Sequence, residues 1–336
     1  MITIKDIAKL ANVSPSTVSK ALNNKGDVSK ETKNKIIKLA QEHHFSPNAF
    51  GKGLKSQTSE NIGVIFCREM LPSSGNPFFS RILEGIEAEL AINNYNLFLQ
   101  LIPESRQDIL PKMVRQRQVD GLILVGIFQE DFIQNILSNN ILVVLIDPKT
   151  TINSCSQILI DNEHGAFTAT QYLIRNGHRR IGFISDDVER LSFKQRFDGY
   201  NNALKYHDIP FNKNLIMTGG SEKGYDHVKK LLKLEEQPTA IFTSNDLNAI
   251  NGYKAIQEQN LKIPDDVSII GFDDIDLAKY ATPSLTTIRV YKEELGSIGV
   301  RTLLKMIHGE NNTPITTIVP TRLIERESVK RLDKIQ

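Results

Sequence analysis

Apolar side chains in the first sixty residues recur at helical spacing. Ile4, Ile7, Ala8 and Ala11 share one face of a predicted first helix. Thr3 can cap that helix, with Asp6 three residues on as a capping-box partner. Asn12 and Val13 make a turn, and Asn is among the few side chains tolerant of left-handed backbone. Ser14 then caps a second helix with Pro15 at its first position, where a missing N–H costs nothing. That helix runs to about Leu22, and Asn23, Asn24 and Gly26 break it. Ser29 caps a third helix carrying Ile36, Ile37, Leu39 and Ala40. Phe45, Ser46 and Pro47 end it and can start a short fourth helix reaching about Lys55. Residues 56–61 are polar and read as a linker.

After Asn61 the rhythm changes. Apolar runs at 62–66, 97–101, 121–125, 141–146, 181–184, 215–217, 240–243, 267–271 and, weaker, 285–290 alternate with helix-length amphipathic stretches. Short apolar runs separated by helices are the pattern of βαβ units and a parallel sheet. About nine strands in such a length fit two doubly wound halves better than one sheet. No short repeat or low-complexity tract interrupts them.

Composition narrows the class. No apolar run approaches the roughly 20 residues of a membrane helix. The start lacks a signal peptide's apolar stretch, so a cytoplasmic setting is expected. Cys67 and Cys155 are too few for a disulfide framework or a zinc site of their own. The net charge of +2 is uninformative until it is divided. Residues 1–60 hold ten lysines and five acids, hence +5, whereas the rest holds 31 basic and 34 acidic residues, hence −3. A basic end on a mildly acidic body suggests polyanion binding there, although a lysine-rich solvated helix face gives the same charge.

Residues 4–23 have the form of a helix-turn-helix. Ala8 is small where two helices approach, Asn12 supplies the turn, and Val18 can lock the second helix onto the first. Such a motif presents the start of its second helix to the major groove, so Ser14, Pro15, Ser16, Thr17, Ser19 and Lys20 would face DNA. A helical hairpin inside a bundle is the plainer alternative.

Longer stretches decide between these. TIKDIAKLANVSPSTVSKALNNKGDVSKETKNKI (3–36) resembles the headpiece of the LacI/GalR family of bacterial transcription regulators. FSPNAFGKGLKS (45–56) resembles that family's hinge helix, and SENIGVIF (59–66) the first strand of its effector domain. NPFFSRILEGIE, VDGLIL, IDNEHGAFTATQYLIRNGHRRIGFI, RFDGYNNAL, SNDLNA and DDVSIIGFDDIDLAKYATPSLTTI continue the resemblance in the same order down the chain. The fold it implies is an all-α helix-turn-helix headpiece followed by an α/β body. That body is periplasmic-binding-protein-like, with two doubly wound parallel-sheet lobes. The implied boundaries are 1–46 for the headpiece, 47–60 for hinge helix and linker, and 61–336 for effector binding and dimerisation. The N-lobe would take about 61–160 plus 291–318, and the C-lobe about 161–290 plus 319–330.

The resemblance also implies roles. Base edges would be read by residues matching Pro15, Ser16 and Lys20. Lys20 can donate to guanine, Ser16 can contact either base type, and Pro15 can only pack on a thymine methyl. Thr17 and Asn23 suit phosphates, which fix register without reading sequence. Asn48 to Leu54 would form the hinge helix, with Lys52 on phosphate and Leu54 wedged into the minor groove. Gly51 and Gly53 depart from the family pattern, each costing about 1 kcal/mol of helix propensity relative to Ala. A hinge that folds only on DNA is therefore expected.

Between the lobes, Phe79, Asp147, Arg196, Asn245 and Asp273 match family cleft positions and make a coherent set for a polyol. The carboxylates accept from hydroxyls, Asn245 donates and accepts, Arg196 donates, and Phe79 offers an apolar face. Each also has a structural reading: a turn for Asp147, a helix cap for Asn245, and pairing across the cleft for Arg196 and Asp273. The absence of Trp tilts the expected effector toward a mono- or disaccharide rather than a purine or nucleoside. The expected partners are a pseudo-palindromic double-stranded operator, that effector and a second copy, since 328–336 is too short for a tetramerising coiled coil. No cofactor, metal or membrane is expected. A Rossmann-like enzyme is one rival, resting on Gly219, Gly220 and Gly224 after a strand, which fit neither phosphate-loop pattern. A secreted sugar-binding protein is the other.

Overall fold

The computed structural model describes residues 2–22, 26, 28–45, 58–69, 76–219, 223–310 and 313–332. The expected fourth helix, with Asn48, Gly51, Lys52, Gly53 and Leu54, and the phosphate contact Asn23 lie outside the described residues. The chain divides into two compact units, Met1–Ser59 and Glu60–Gln336.

The first unit holds helices α1 (Ile4–Ala11), α2 (Pro15–Leu22) and α3 (Lys30–Glu42). Asp6 accepts from the Thr3 backbone N–H at 2.9 Å and from its hydroxyl at 2.6 Å. Those bonds to the ionised form hold the carboxyl below its ordinary range. Asn12 adopts φ 58°, ψ 46°, and this left-handed step lets the Val13 N–H reach the Ala8 carbonyl at 3.0 Å. Lys35 Nζ donates to the Ala11 carbonyl at 3.2 Å, so α3 satisfies an otherwise open end of α1. Ile7, Ala8, Ala11, Val18, Ala21 and Ile36 form the core of this unit. Val18 is fully buried, as its proposed locking role requires.

Among its described residues the second unit contains twelve strands: β1 (Asn61–Cys67), β2 (Asn96–Ile102), β3 (Gly121–Val125), β4 (Leu142–Ile146), β5 (Ser156–Ile160), β6 (Ile181–Ser185), β7 (Ile216–Thr218), β8 (Ala240–Thr243), β9 (Ser268–Asp273), β10 (Thr286–Arg289), β11 (Thr316–Val319) and β12 (Arg322–Ile324). Its helices are α4 (Pro77–Ile92), α5 (Lys112–Arg115), α6 (Glu130–Leu137), α7 (Asn162–Arg175), α8 (Leu191–Tyr206), α9 (Gly224–Leu231), α10 (Asp246–Gln257), α11 (Asp276–Tyr280) and α12 (Lys292–Ile307). Two six-stranded sheets result, ordered β11-β5-β4-β3-β1-β2 and β12-β10-β9-β8-β6-β7. The first is parallel throughout. The second is parallel except where β12 runs against β10.

The apolar runs locate nine of these strands and miss β5, β11 and β12. β5 opens on the polar pair Ser156 and Gln157, both buried because β5 lies between two neighbours. β11 and β12 are short, and half-exposed or exposed along most of their length, so they lack the continuous apolar run of a central strand.

The order of the sheets makes the chain cross between lobes three times: after β5, after β10, and between β11 and β12. On the second crossing α12 returns to lie against α4 of the first lobe. A Cβ on Gly85 would stand 2.0 Å from the Glu293 carbonyl oxygen, and one on Gly296 would stand 2.4 Å from that of Ile82. Only glycine permits backbones this close. No described helix is long and apolar enough to cross a membrane.

Candidate DNA-contacting face and ligand cleft

In the first unit, Ser14, Pro15, Ser16 and Lys20 are exposed, and Thr17 and Ser19 are half-buried. Ser14 lies at the start of α2 and organises its first turn. Its Oγ accepts from the Thr17 N–H at 3.2 Å and is 2.7 Å from Ser16 Oγ and 2.8 Å from Thr17 Oγ1. Burial of Val18 and Ala21 turns the opposite face, with Ser16 and Lys20, to solvent. The Lys20 stem passes over Gly26, which has φ 83° and whose ideal Cβ would lie 3.2 Å from Lys20 Cδ. The result is a polar, single-helix surface with the exposed Lys20 at one end and no carboxylate on α2.

The second unit gathers four of the five expected cleft residues. Asp147 follows β4 with φ 48°, and its N–H bonds to the Ile158 carbonyl at 3.1 Å. It is therefore a turn former, as the alternative reading held. Its buried carboxyl also meets residues of the other lobe: Ser192, Arg190 and Arg196. Burial pushes its pKa up, against the pull of the two guanidiniums. The lobes also touch beside it through the backbone, where Leu191 N–H donates to the Lys149 carbonyl at 2.9 Å. On another side Arg81 of α4 bridges to Asp276 of α11, Nη2 to Oδ2 at 2.5 Å.

Arg196, on α8, is 3 % exposed. Its Nε donates to Asn162 Oδ1 at 2.9 Å, and its Nη1 donates to the Ser244 carbonyl and lies 3.1 Å from Asp273 Oδ1. The guanidinium is stacked 3.8 Å from the Phe272 ring centroid. Arg196 and Asp273 thus do pair, but both belong to the second lobe, so the pair does not cross the cleft as that alternative supposed. Asp273 ends β9 with φ 110°. Its carboxyl is pushed up to about 6, because burial outweighs the opposing charges of Arg196 and Lys292 and Asp147 adds repulsion. The Oδ1 contact is at ion-pair distance without hydrogen-bond alignment, which leaves that oxygen able to accept from another donor.

Asn245 caps α10, its Oδ1 accepting from the Asn248 N–H at 2.8 Å, and its Nδ2 donates to Asp186 Oδ2 at 3.1 Å. It is half-buried beside Ser244, the residue whose carbonyl Arg196 uses. Phe79 is placed differently. It is 4 % exposed and packs edge-on against Phe66, at 6.4 Å between centroids, and against Phe78, at 5.0 Å. Its ring is part of the first lobe's core.

Several polar residues of the site escaped the sequence reading. Arg190 and Ser192 share the surroundings of Asp147, and the spacing of Arg190, Phe193 and Arg196 along one helix face was an available signal. Lys292 is buried at the start of α12, where a cation opposes the helix dipole. Its Nζ donates to the carbonyls of Asp273, Asp274 and Val290, clamping the second crossing. Asp246 is fully buried, accepts from Thr287 Oγ1 at 2.5 Å and from the Ile275 N–H at 2.9 Å, and has its pKa raised by burial and by Asp273.

Of the glycine stretch after β7, residues 220–222 lie outside the described residues. Gly219 has φ 94°. The Gly224 N–H that opens α9 is already bonded to Asn248 Oδ1 at 2.9 Å, so this donor is not free to hold phosphate.

A helix-turn-helix unit joined to a two-lobed α/β body with a charged, buried cleft defines a ligand-responsive DNA-binding regulator. The family model described as bacterial regulatory proteins, lacI family, matches residues 3–48, and that of the periplasmic binding protein-like domain matches 170–329. The chain is 35% identical over 336 residues to the probable HTH-type transcriptional repressor ExuR of Bacillus subtilis (strain 168), covering 99% of each protein. It is also 35% identical over 339 residues to the ribose operon repressor of Haemophilus influenzae, covering 99% of this chain and 100% of the relative. Among solved structures, the transcriptional regulator CelR–cellobiose complex superposes with a TM-score of 0.74 at 25% identity, over 98% of this chain and 100% of the other. The chain belongs to the lacI family of bacterial regulatory proteins; it is a DNA-binding transcriptional repressor and not an enzyme.

Proposed function

We propose that this repressor binds a pseudo-palindromic operator as a homodimer and that a mono- or disaccharide held between the lobes controls its operator affinity. The observation that carries the effector reading is the buried group of Arg196, Asp273 and Asp147. It presents donors and acceptors without cancelling them completely. Hydroxyls of a sugar would bond to Asp147 and Asp273, while Arg196 and Asn245 donate to its oxygens. Phe79 would support the wall from behind. The sugar complexed with CelR is consistent with this class of ligand.

On the DNA side, Ser16 and Lys20 would read base edges, Pro15 would pack against a thymine methyl, Thr17 and Asn23 would hold phosphates, and Ser14 and Ser19 would face the DNA. Residues 1–46 would form the headpiece, 47–60 the hinge, with Asn48 in its helix, Lys52 on phosphate and Leu54 wedged into the minor groove, and 61–336 the effector and dimer body. Dimerisation is supported by an unprotected edge. β2 exposes Phe98 and Leu99, and α11 exposes Leu277 and Tyr280, the last 80 % exposed. A bacterial protein acting on operator DNA would work in the cytoplasm.

A thermal-shift screen against common sugars, with purines and nucleosides as comparison, tests the effector class. A sugar at about 100 times its Kd stabilises the folded state by about 2.7 kcal/mol. Asp273→Ala should lose that shift and retain operator binding. A shift with nucleobases and with no sugar would replace the reading.

A further inference from the structure

We propose that the second lobe carries an anion site outside the effector cleft, a lysine groove suited to a phosphorylated small molecule. Lys223 caps the start of α9, Asp226, His227 and Lys230 lie on it at helical spacing, and Lys233 follows in the turn after its end. Together with Thr218 and Gly219 at the carboxyl end of the edge strand β7, they line a groove of about 600 Å³. The volume is within the range of small-molecule sites, and the carboxyl end of a strand is where open α/β sheets take ligands.

The charge of the groove is one-sided. Lys223, Lys229, Lys230 and Lys233 contribute four cations, and Asp226 is the carboxylate among the lining residues. Lys229 is occupied by the Tyr225 hydroxyl at 3.2 Å. Among the described residues no carboxylate stands within 4.0 Å of the ammonium of Lys223, Lys230 or Lys233. Beneath them His227 is 6 % exposed. Burial, Lys230 and Lys223 lower its pKa, and Asp186 and Asp226 only partly oppose them. Among the described residues, lysines outnumber carboxylates around this shielded imidazole, an arrangement that matches a compact, multiply charged oxyanion. Phosphate takes point-charge donors of this kind, and entry of one relieves the repulsion between them.

The groove is lined by residues at the end of β7 and along α9, whereas Arg196, Asn245 and Asp273 stand on α8, at the start of α10 and at the end of β9. The headpiece lysines also attract phosphate, so the test needs a local readout. Inorganic pyrophosphate is titrated into the full-length protein at constant ionic strength while the His227 ring resonances are followed, assigned by their loss in His227→Gln. The expected result is a saturable shift with a raised His227 pKa. Lys230→Gln combined with Lys233→Gln should weaken it about tenfold or more, and Asp226→Asn should strengthen it. Lys194→Gln combined with Lys205→Gln, an equal charge change on exposed positions of α8, should leave it unaltered. A non-saturating response, or a saturable one indifferent to the Lys230 and Lys233 changes, overturns the proposal.

Discussion

Asp273 is a buried carboxylate of the candidate cleft whose chemistry departs from its free-solution behaviour. Its carboxyl is raised from 3.8 to about 6, so the folded chain binds that proton more tightly than the unfolded chain does. Ionisation therefore costs folded stability, progressively from about pH 4 to about pH 6, and the cost is constant above that. Asp273→Asn removes the titration. Its melting temperature relative to wild type should rise as pH increases across this window and then level off. A difference independent of pH would show that the site does not hold the proton. Lys20 is the corresponding residue of the first unit. Lys20→Ala should weaken the specific operator by about 1–3 kcal/mol, with little change on scrambled DNA, as read by fluorescence anisotropy. An equal loss on both would make Lys20 a phosphate contact.

Elements differ in how openly the sequence declares them. Thr3, Asp6, Asn12, Ser14 and Ser29 mark the ends of α1, α2 and α3, and each performs the local bond or turn expected of it. Capping depends on neighbours within a turn, so sequence suffices. β12 is legible only through its partner, because a three-residue strand with an exposed arginine gains its place from pairing with β10. The glycines of α4 and α12 are also tertiary in meaning. In an isolated helix Gly85 looks like a weak position, yet its missing side chain admits the Glu293 carbonyl. Gly85→Ala should destabilise the body by about 1–3 kcal/mol in urea unfolding, despite alanine's better helix propensity. Stabilisation instead would show that the two helices can separate without loss.

At the scale of the whole molecule, charge and shape have separate duties. In the proposed dimer the +5 of residues 1–60 would double to about ten positive charges available to phosphate, while the body is mildly acidic. Operator affinity should therefore fall steeply with salt. Assembly should depend on the body's apolar edge. Leu99→Glu places a charge on exposed β2 without touching the core of its own sheet, since Leu99 is 46 % exposed. Analytical ultracentrifugation should find this variant monomeric, with operator affinity reduced because two linked headpieces no longer act together. A variant that stays dimeric would move the interface elsewhere.

The sequence by itself determined what local order can encode: three capped helices in a basic segment, the alternation of apolar runs with helices, and the family resemblance that placed Asp147, Arg196, Asn245 and Asp273 in one cleft. It could not assign Phe79, whose ring turns into the first lobe's core, because burial of an aromatic depends on the packing around it. Nor could it reveal Arg190, Ser192 and Lys292 beside the expected residues. Arg190 and Ser192 reach Asp147 only once two lobes built from separated segments meet, and Lys292 reaches the Asp273 carbonyl only at a crossing between them. Tertiary structure decided these because the energies involved, desolvation and ion pairing of buried groups, exist only after distant strands have folded together.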